Sequence, residues 1–221
     1  MMEFTPIILS LQMAFITSVI LILIGIPIAY SIAYSKRRWM FFIETMISLP
    51  LVLPPTVIGF YLLIAFSGES FIGKLLNDYF SIQLVFTFTG LIFASVIYGL
   101  PFTVNPLVSG FRALPSAYRE TAAVLGKNKI QTLLYVLLPN MKQSIITAFI
   151  MTFAHAIGEF GVILMIGGNI PGETKLASLA IYDEVEAMNY DVANKYAVTM
   201  VLIAFVLLAL VYFINRKKHS V

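Results

Sequence analysis

The residues able to do acid–base or ion chemistry are few in this sequence. The 221-residue chain has no cysteine and two histidines, which excludes disulfides, thiolate metal sites and cysteine nucleophiles. One histidine, His155, stands four residues before a carboxylate, Glu159, in the apolar run His155-Ala156-Ile157-Gly158-Glu159-Phe160-Gly161. On a helix that spacing places both side chains on one face, where they can pair. A carboxylate inside an apolar span is costly and marks a functional or paired site by default. Glu159 is read first as a buried hydrogen-bonding node and second as a group lining a path. His155 is either its neutral partner or, protonated, a positive group that eases an anion's passage. Gly158 and Gly161 allow a neighbouring helix to approach closely. No Gly-x-x-x-x-Gly-Lys-Ser/Thr run is present, so nucleotide hydrolysis on this chain is not expected. Nor is there an arginine cluster or a glycine-rich cradle that would hold an oxyanion tightly. One histidine in the apolar runs, with no metal constellation, leaves a membrane enzyme little chemistry to use.

A second set of spaced residues lies between two apolar runs. Arg119-Glu120-Thr121-Ala122-Ala123-Val124-Leu125-Gly126 is followed, thirteen positions after the glycine, by Pro139 in Leu137-Leu138-Pro139. The pattern predicts two short helices with a glycine joint. Ser116 caps the first and Gly126 ends it in the left-handed conformation. Asn128 caps the second, which Pro139 interrupts. Thr121, Ala122 and Ala123 form a small-residue face on which another protein can pack closely. By periodicity alone, a folded loop that merely joins two spans is an equal reading.

The elements that must position these residues are membrane helices. The chain is 60% hydrophobic and 11% charged, with a mean hydropathy of +0.93, against roughly 45–50% and about 25% in soluble domains. A core of this size saturates before it hides so much apolar surface. The net charge of +3 and pI near 9.0 come from basic residues set between apolar runs rather than on one face, which argues against nucleic acid. Five stretches reach the length of about 20 residues that a crossing requires: Pro6 to Tyr34, Thr45 to Phe66, Ile82 to Phe111, Gln143 to Ile166 and Tyr196 to Asn215. The first has no positive n-region and no Ala-x-Ala-like site, and is expected to be a mature span. The expected architecture is therefore all-α, one transmembrane domain over residues 1–221 with about five transmembrane helices.

Lys and Arg placement orients the spans. With the N-terminus outside and the C-terminus in the cytoplasm, Lys36, Arg37, Arg38, Arg112, Arg119, Lys127, Lys129, Lys142, Arg216, Lys217 and Lys218 all face the cytoplasm, while the outer loops carry most of the acids. Two connections are long: a cytoplasmic one of about 112–142 and an outer one of about 167–195. The outer one begins Gly167-Gly168-Asn169-Ile170-Pro171-Gly172, and Leu176 to Tyr182 within it predicts a short helix or a re-entrant segment. Pro54 and Pro55 break the second span, and Pro101 and Pro106 the third. These are places for a gate to hinge, or packing irregularities.

The segment around Gly126 resembles the EAA motif of ABC importer permeases. Glu120, Ala122, Gly126, Leu138 and Pro139 occupy its positions, with Thr121 at the first small position. The resemblance implies a coupling helix that docks into a groove on a cytoplasmic ATPase, so that ATP-driven closure moves the loop and the spans. Gly158-Glu159-Phe160-Gly161, then Asn169-Ile170-Pro171-Gly172-Glu173-Thr174, and the run from Leu49 to Gly59 are similar to the molybdate branch of the molybdate/sulfate permease family. That implies a cytoplasmic ATPase dimer, an extracytoplasmic oxyanion-binding protein, a second copy of the chain around one pathway and alternating access, with no cofactor. The implied cargo is molybdate or tungstate, with sulfate or thiosulfate as the alternative.

Two other classes remain open on the residues alone. A small ion-coupled carrier has only His155 and Glu159 to couple through, and leaves the 119–139 spacing unexplained. A membrane anchor without transport predicts no ATPase partner.

Overall fold

The structure, a computed structural model, describes residues 2–216. Lys217 and Lys218, expected at the cytoplasmic end of the last span, lie outside the described residues. The chain opens with α1 (Thr5–Tyr34). Next come α2 (Met40–Ser48), a 3-10 turn (Leu49–Leu51), α3 (Pro55–Phe66), α4 (Phe71–Phe80) and α5 (Phe88–Ala113). A polar-surfaced stretch holds α6 (Ala117–Val124), α7 (Lys129–Thr132), a π turn (Leu133–Leu137) and α8 (Leu138–Asn140). The chain ends with α9 (Lys142–Ile157), α10 (Gly161–Gly167), α11 (Ala177–Glu186) and α12 (Tyr190–Arg216). No strand occurs among the described residues. The all-α expectation holds.

The centre is a packed trio of α1, α5 and α9. Between membrane helices the hydrophobic effect is weak, so close approach of small residues supplies the attraction. The buried face of α1 carries Ser10, Ala14, Ser18, Gly25 and Ala29 at helical spacing. A Cβ at Gly25 would lie 3.0 Å from Thr103 Cγ2, one at Gly99 would lie 2.7 Å from Leu21 Cδ1, and one at Gly110 would lie 2.5 Å from Ser144 Oγ. The opposite faces present Phe15, Leu23, Val201 and Phe205 outward, as lipid-facing positions should.

Three helices, α1, α5 and α12, are long and apolar enough to cross a membrane unbroken. The other two crossings are interrupted. Along α5, Gly110 meets Ser144, Thr103 meets Thr152, Ser95 meets Glu159 and Leu91 meets Gly167. So α9 and α10 run antiparallel to α5 along its length, broken at residues 158–160. The second crossing is broken more sharply: Met40–Leu51 and Pro55–Phe66 meet at 109°. It still travels the length of α5, because Glu44 reaches Arg112 at one end and the Phe66 ring lies 5.0 Å from that of Phe93 at the other.

Several expectations need correction. The second crossing begins at Met40 rather than Thr45, and it is broken at the prolines as expected. Its bend comes from Pro54, extended at ψ 135, which hands the chain to Pro55 at the first turn of α3, where a missing N–H is harmless. The third starts at Phe88 rather than Ile82, because Thr87 caps it through Gly90 N at 3.2 Å. Ahead of it the separate helix α4 is capped by Ser70, which accepts from Gly73 N at 2.8 Å. Pro101 and Pro106 do not break α5, which stays helical through both, so of the two expected breaks only the one at Pro54 is present. In the outer connection Leu176 to Tyr182 does form a helix, α11, with Ala177, Leu179 and Ala180 buried. Its start is pinned to α1, because Ser10 Oγ accepts from Ala177 N at 2.9 Å.

Candidate functional site

The residues singled out in the sequence fall at two places. The first is the stretch from α6 to α8. Gly126 adopts φ +69, and its N–H donates to Ala123 O while Lys127 N donates to Ala122 O. That pair of bonds is a Schellman motif, which satisfies the orphan carbonyls at the end of α6. A Cβ at Gly126 would meet nothing within 4 Å, so backbone conformation alone calls for glycine there. Asn128 caps α7 as expected: its Oδ1 accepts from Gln131 N at 2.8 Å, and Gln131 Oε1 accepts from Asn128 N at 3.2 Å. Ser116 does not cap through its side chain. It is already in helical conformation, and its backbone carbonyl accepts from Arg119 and Glu120.

Pro139 has no N–H to give, and the backbone ahead of it widens into the π turn Leu133–Leu137. Asn140 Nδ2 donates to Val136 O at 2.6 Å, supplying a donor close to the one proline lacks. The helix then turns by 78° into α9. Leu138 is half-buried, whereas Leu137 is fully buried among Ile32, Phe111 and Met141.

The small-residue face is not as expected. Ala122 is buried, and Thr121 and Ala123 are exposed, so Ala122 packs inward and does not join them in one outward surface. What α6 and α7 present instead is apolar: Val124 is 87% exposed, Leu125 71% and Ile130 68%. Sequence reasoning missed these three, although their placement around Gly126 was open to it. Glu120 is exposed beside them. The segment is tied back to the membrane helices by Arg119, whose guanidinium carbon sits 4.0 Å over the Tyr34 ring. Tyr34 in turn donates its hydroxyl to Phe111 O at 2.8 Å. These two contacts link α6 to the ends of α1 and α5.

The second place is the pair of helix breaks. His155 and Glu159 do not pair. The helix ends at Ile157 with Gly158 as its cap, so the four-residue spacing no longer sets a shared face. Glu159 is buried and accepts from Ser95 Oγ at 3.2 Å, while its backbone carbonyl accepts from Ser178 Oγ at 2.7 Å. It thus joins α5 and α11 at the break. Oε1 of Glu159 and Nε2 of His155 have no hydrogen-bond partner. The His155 ring stacks on Phe102 at 3.7 Å and lies 5.1 Å from Tyr98. Ser95, Ser178 and Phe102 were outside the sequence reading, because only the fold brings them near. The two breaks touch: a Cβ at Gly161 would lie 2.8 Å from Pro55 Cβ, and one at Gly59 would lie 3.0 Å from Val162 Cα. Pro55 is therefore part of the same junction, while Pro54 is exposed at its edge.

Residues 21–217 match the family model described as the inner membrane component of binding-protein-dependent transport systems. The chain belongs to this family.

As such a transport component it is similar to the molybdenum transport system permease protein ModB of Azotobacter vinelandii, 44% identical over 95% of this chain and 93% of that protein. It is also similar to a putative molybdenum transport system permease of Bacillus subtilis, 34% identical over 97% and 93%. A probable sulfate transport system permease of Chlorella vulgaris is 30% identical over 96% of this chain and 80% of that one. In fold it resembles a bacterial alginate ABC transporter solved with a pentasaccharide-bound periplasmic protein, with a TM-score of 0.78 at 15% identity over 98% of this chain and 79% of that one. The component is thus a multi-pass inner-membrane transport subunit with an ABC-permease fold, in which the α6–α8 stretch lies at one end of the helices.

Proposed function

We propose that this chain is the permease subunit of an ATP-driven importer that carries molybdate or tungstate by alternating access. The observation that carries the reading is the 44% identity to the Azotobacter vinelandii molybdenum permease along almost the whole chain, against 30% to the Chlorella vulgaris sulfate permease. In this reading the N-terminus is outside, and the α6–α8 stretch faces the cytoplasm, in keeping with its lysines and arginines. Glu120, Thr121, Ala122, Gly126, Leu138 and Pro139 shape the coupling segment. Exposed Val124, Leu125 and Ile130 are the surface that a separate ATPase covers, since apolar groups of this exposure mark interaction sites. ATP hydrolysis takes place on that partner. The load passes through Arg119 and Tyr34 to α1 and α5 and reaches the α3/α10 junction. A second copy packs against the open side of α3, where Phe60, Tyr61 and Ile64 are exposed, and encloses the pathway. An extracytoplasmic binding protein delivers the anion and sets most of the selectivity. Glu159 acts as a structural joint, since a carboxylate repels a dianion. His155, stacked on Phe102, has no carboxylate partner.

The test is uptake of labelled molybdate into proteoliposomes holding this chain, the ATPase and the binding protein, with ATP at the nucleotide face and with excess sulfate or tungstate as competitor. ATP-dependent uptake that tungstate reduces and sulfate does not is the expected result. Uptake independent of ATP overturns the importer reading. Strong competition by sulfate moves the cargo to the sulfate class, the second reading, which rests on the Chlorella vulgaris relative.

A further inference from the structure

At the end of α1 two cavities adjoin. One, of about 340 Å³, is lined by Arg37, Arg119 and Lys129 together with Ser31, Ser35 and Trp39. The other, of about 390 Å³, is lined by Pro27, Ile28, Ile32 and Ile43 and shares Ser31, Trp39 and Met40 with the first. One is cationic and polar, the other apolar, and they meet along the last turns of α1.

We infer that this pair of cavities binds one anionic phospholipid, with its phosphate in the cationic pocket and an acyl chain in the apolar groove between α1 and α2. The inference rests on the orientation proposed above, in which this end of α1 lies at the inner leaflet. Three observations support it. First, none of the three cations is in an ion pair: the ion pairs among the described residues use Arg112 with Glu44 and Lys175 with Asp183. No acidic residue is among those lining the pocket. Cations beside a helix C-terminus stabilise its dipole, but that favours placement near the last turn and does not require three of them around one cavity. Second, Arg119 is held in place, stacked 4.0 Å over Tyr34, so it costs little ordering to meet a phosphate there. Third, the apolar groove lies on the membrane side of the pocket. A soluble phosphate or oxyanion has no use for it, whereas a lipid fills both parts. Trp39, exposed at the joint, has the amphipathic ring that sits at headgroup level. Basic pockets between membrane helices at a cytoplasmic boundary take anionic headgroups for the same electrostatic reason.

Because Arg119 belongs to α6 and Arg37 to the α1–α2 link, a lipid bound here bridges the coupling segment to the membrane boundary.

The experiment uses the purified full chain in detergent, without ATPase or ATP. Native mass spectrometry counts retained lipid after titration with phosphatidylglycerol or phosphatidylcholine, and inorganic phosphate and glycerol 3-phosphate are offered as soluble competitors. The expected result is retention of one phosphatidylglycerol per chain, no such preference for phosphatidylcholine, and no displacement by millimolar soluble phosphates. An Arg37→Gln/Lys129→Gln double variant weakens retention about thirtyfold, the loss of two basic residues at about 1 kcal/mol each. Ile28→Trp, which fills the groove and keeps every charge, also weakens it. Both variants change exposed or half-buried positions, and an unchanged melting temperature confirms that they fold. Retention that survives both variants overturns the site, and so does no retention at all, as when a second copy covers the groove. Displacement by soluble phosphate overturns the lipid as occupant. Failure here leaves ATP-dependent uptake intact, and failure of the importer reading leaves lipid retention measurable on the chain alone.

Discussion

The α1/α5/α9 trio and the α6–α8 stretch are built on opposite principles. The trio is held by long-range contact: at Gly25, Gly99 and Gly110 side chains of neighbouring helices fill the space where a Cβ would stand. The α6–α8 stretch buries little more than Ala122, Thr132 and Leu137. It keeps its shape by local means, the Schellman turn at Gly126, the capping box at Asn128 and the Asn140 amide beside Pro139. A region shaped by its own caps keeps its form without being cemented to its surroundings. In the coupling role proposed above it is the part a partner pushes as a unit, and the trio is the part that carries the load.

The comparison breaks most visibly if the trio tolerates bulk. Gly110→Val places a branched side chain where Ser144 Oγ and Cβ stand 2.5 and 2.6 Å from an added Cβ. Overpacking of this kind costs about 3 kcal/mol, or a drop of roughly 6–12 °C in melting temperature for a chain of this size. A thermal melt in detergent reads it, and a shift under about 2 °C would mean that the trio is loosely packed.

Gly126→Pro attacks the other region. The proline ring holds φ near −65°, against the +69 found here, so the joint must change shape. Proline also removes the N–H that Gly126 gives to Ala123 O; the surrounding space is open, so the damage stays local and the chain's own stability falls by about 1–3 kcal/mol. Association with the proposed ATPase should fall tenfold or more, measured by co-purification or by light scattering of the mixed proteins. Normal assembly together with normal uptake would remove the stretch from the coupling role.

How much of this was legible in the sequence follows the same division. Gly126, Asn128 and Pro139 act through bonds to residues within five positions of them, so their roles could be read from spacing. Crossings α1, α5 and α12 were legible because length and hydropathy suffice. The failures come where distant residues decide. The expected His155–Glu159 pair presumed a continuous helix, but the chain breaks at Gly158, and Glu159 finds Ser95 and Ser178, far away in sequence. The small face at Thr121–Ala123 failed because Ala122 is buried, on a helix that packs near the π turn Leu133–Leu137. Helix α4 was hidden because its apolar residues, Phe71, Ile72, Leu75 and Tyr79, are interrupted by Lys74, Asn77 and Asp78. An amphipathic helix of ten residues does not register in a search for spans.

The smallest effect discriminates shape from hydrogen bonding inside the trio. Thr103 and Thr152 hydroxyls lie 2.6 Å apart, and Thr152 Oγ1 also donates to Ala148 O at 2.8 Å. A hydroxyl has one proton, so Thr152 spends its own on Ala148 and must accept from Thr103. Thr103→Val therefore removes one donor and leaves Thr152 satisfied through Ala148. It keeps the Cγ2 methyl, which lies 3.0 Å from where a Cβ at Gly25 would stand. Interhelical hydrogen bonds of this kind in membranes are worth about 0.6 kcal/mol, which is roughly 1–2 °C in the same melt. If the trio is held by the fit of its glycines, Thr103→Val should sit at that small value while Gly110→Val sits far above it. A loss at Thr103 larger than that of Gly110→Val, above about 3 kcal/mol, would invert the order and make the buried hydroxyl pair, rather than close backbone approach, the feature that holds α5 and α9 together.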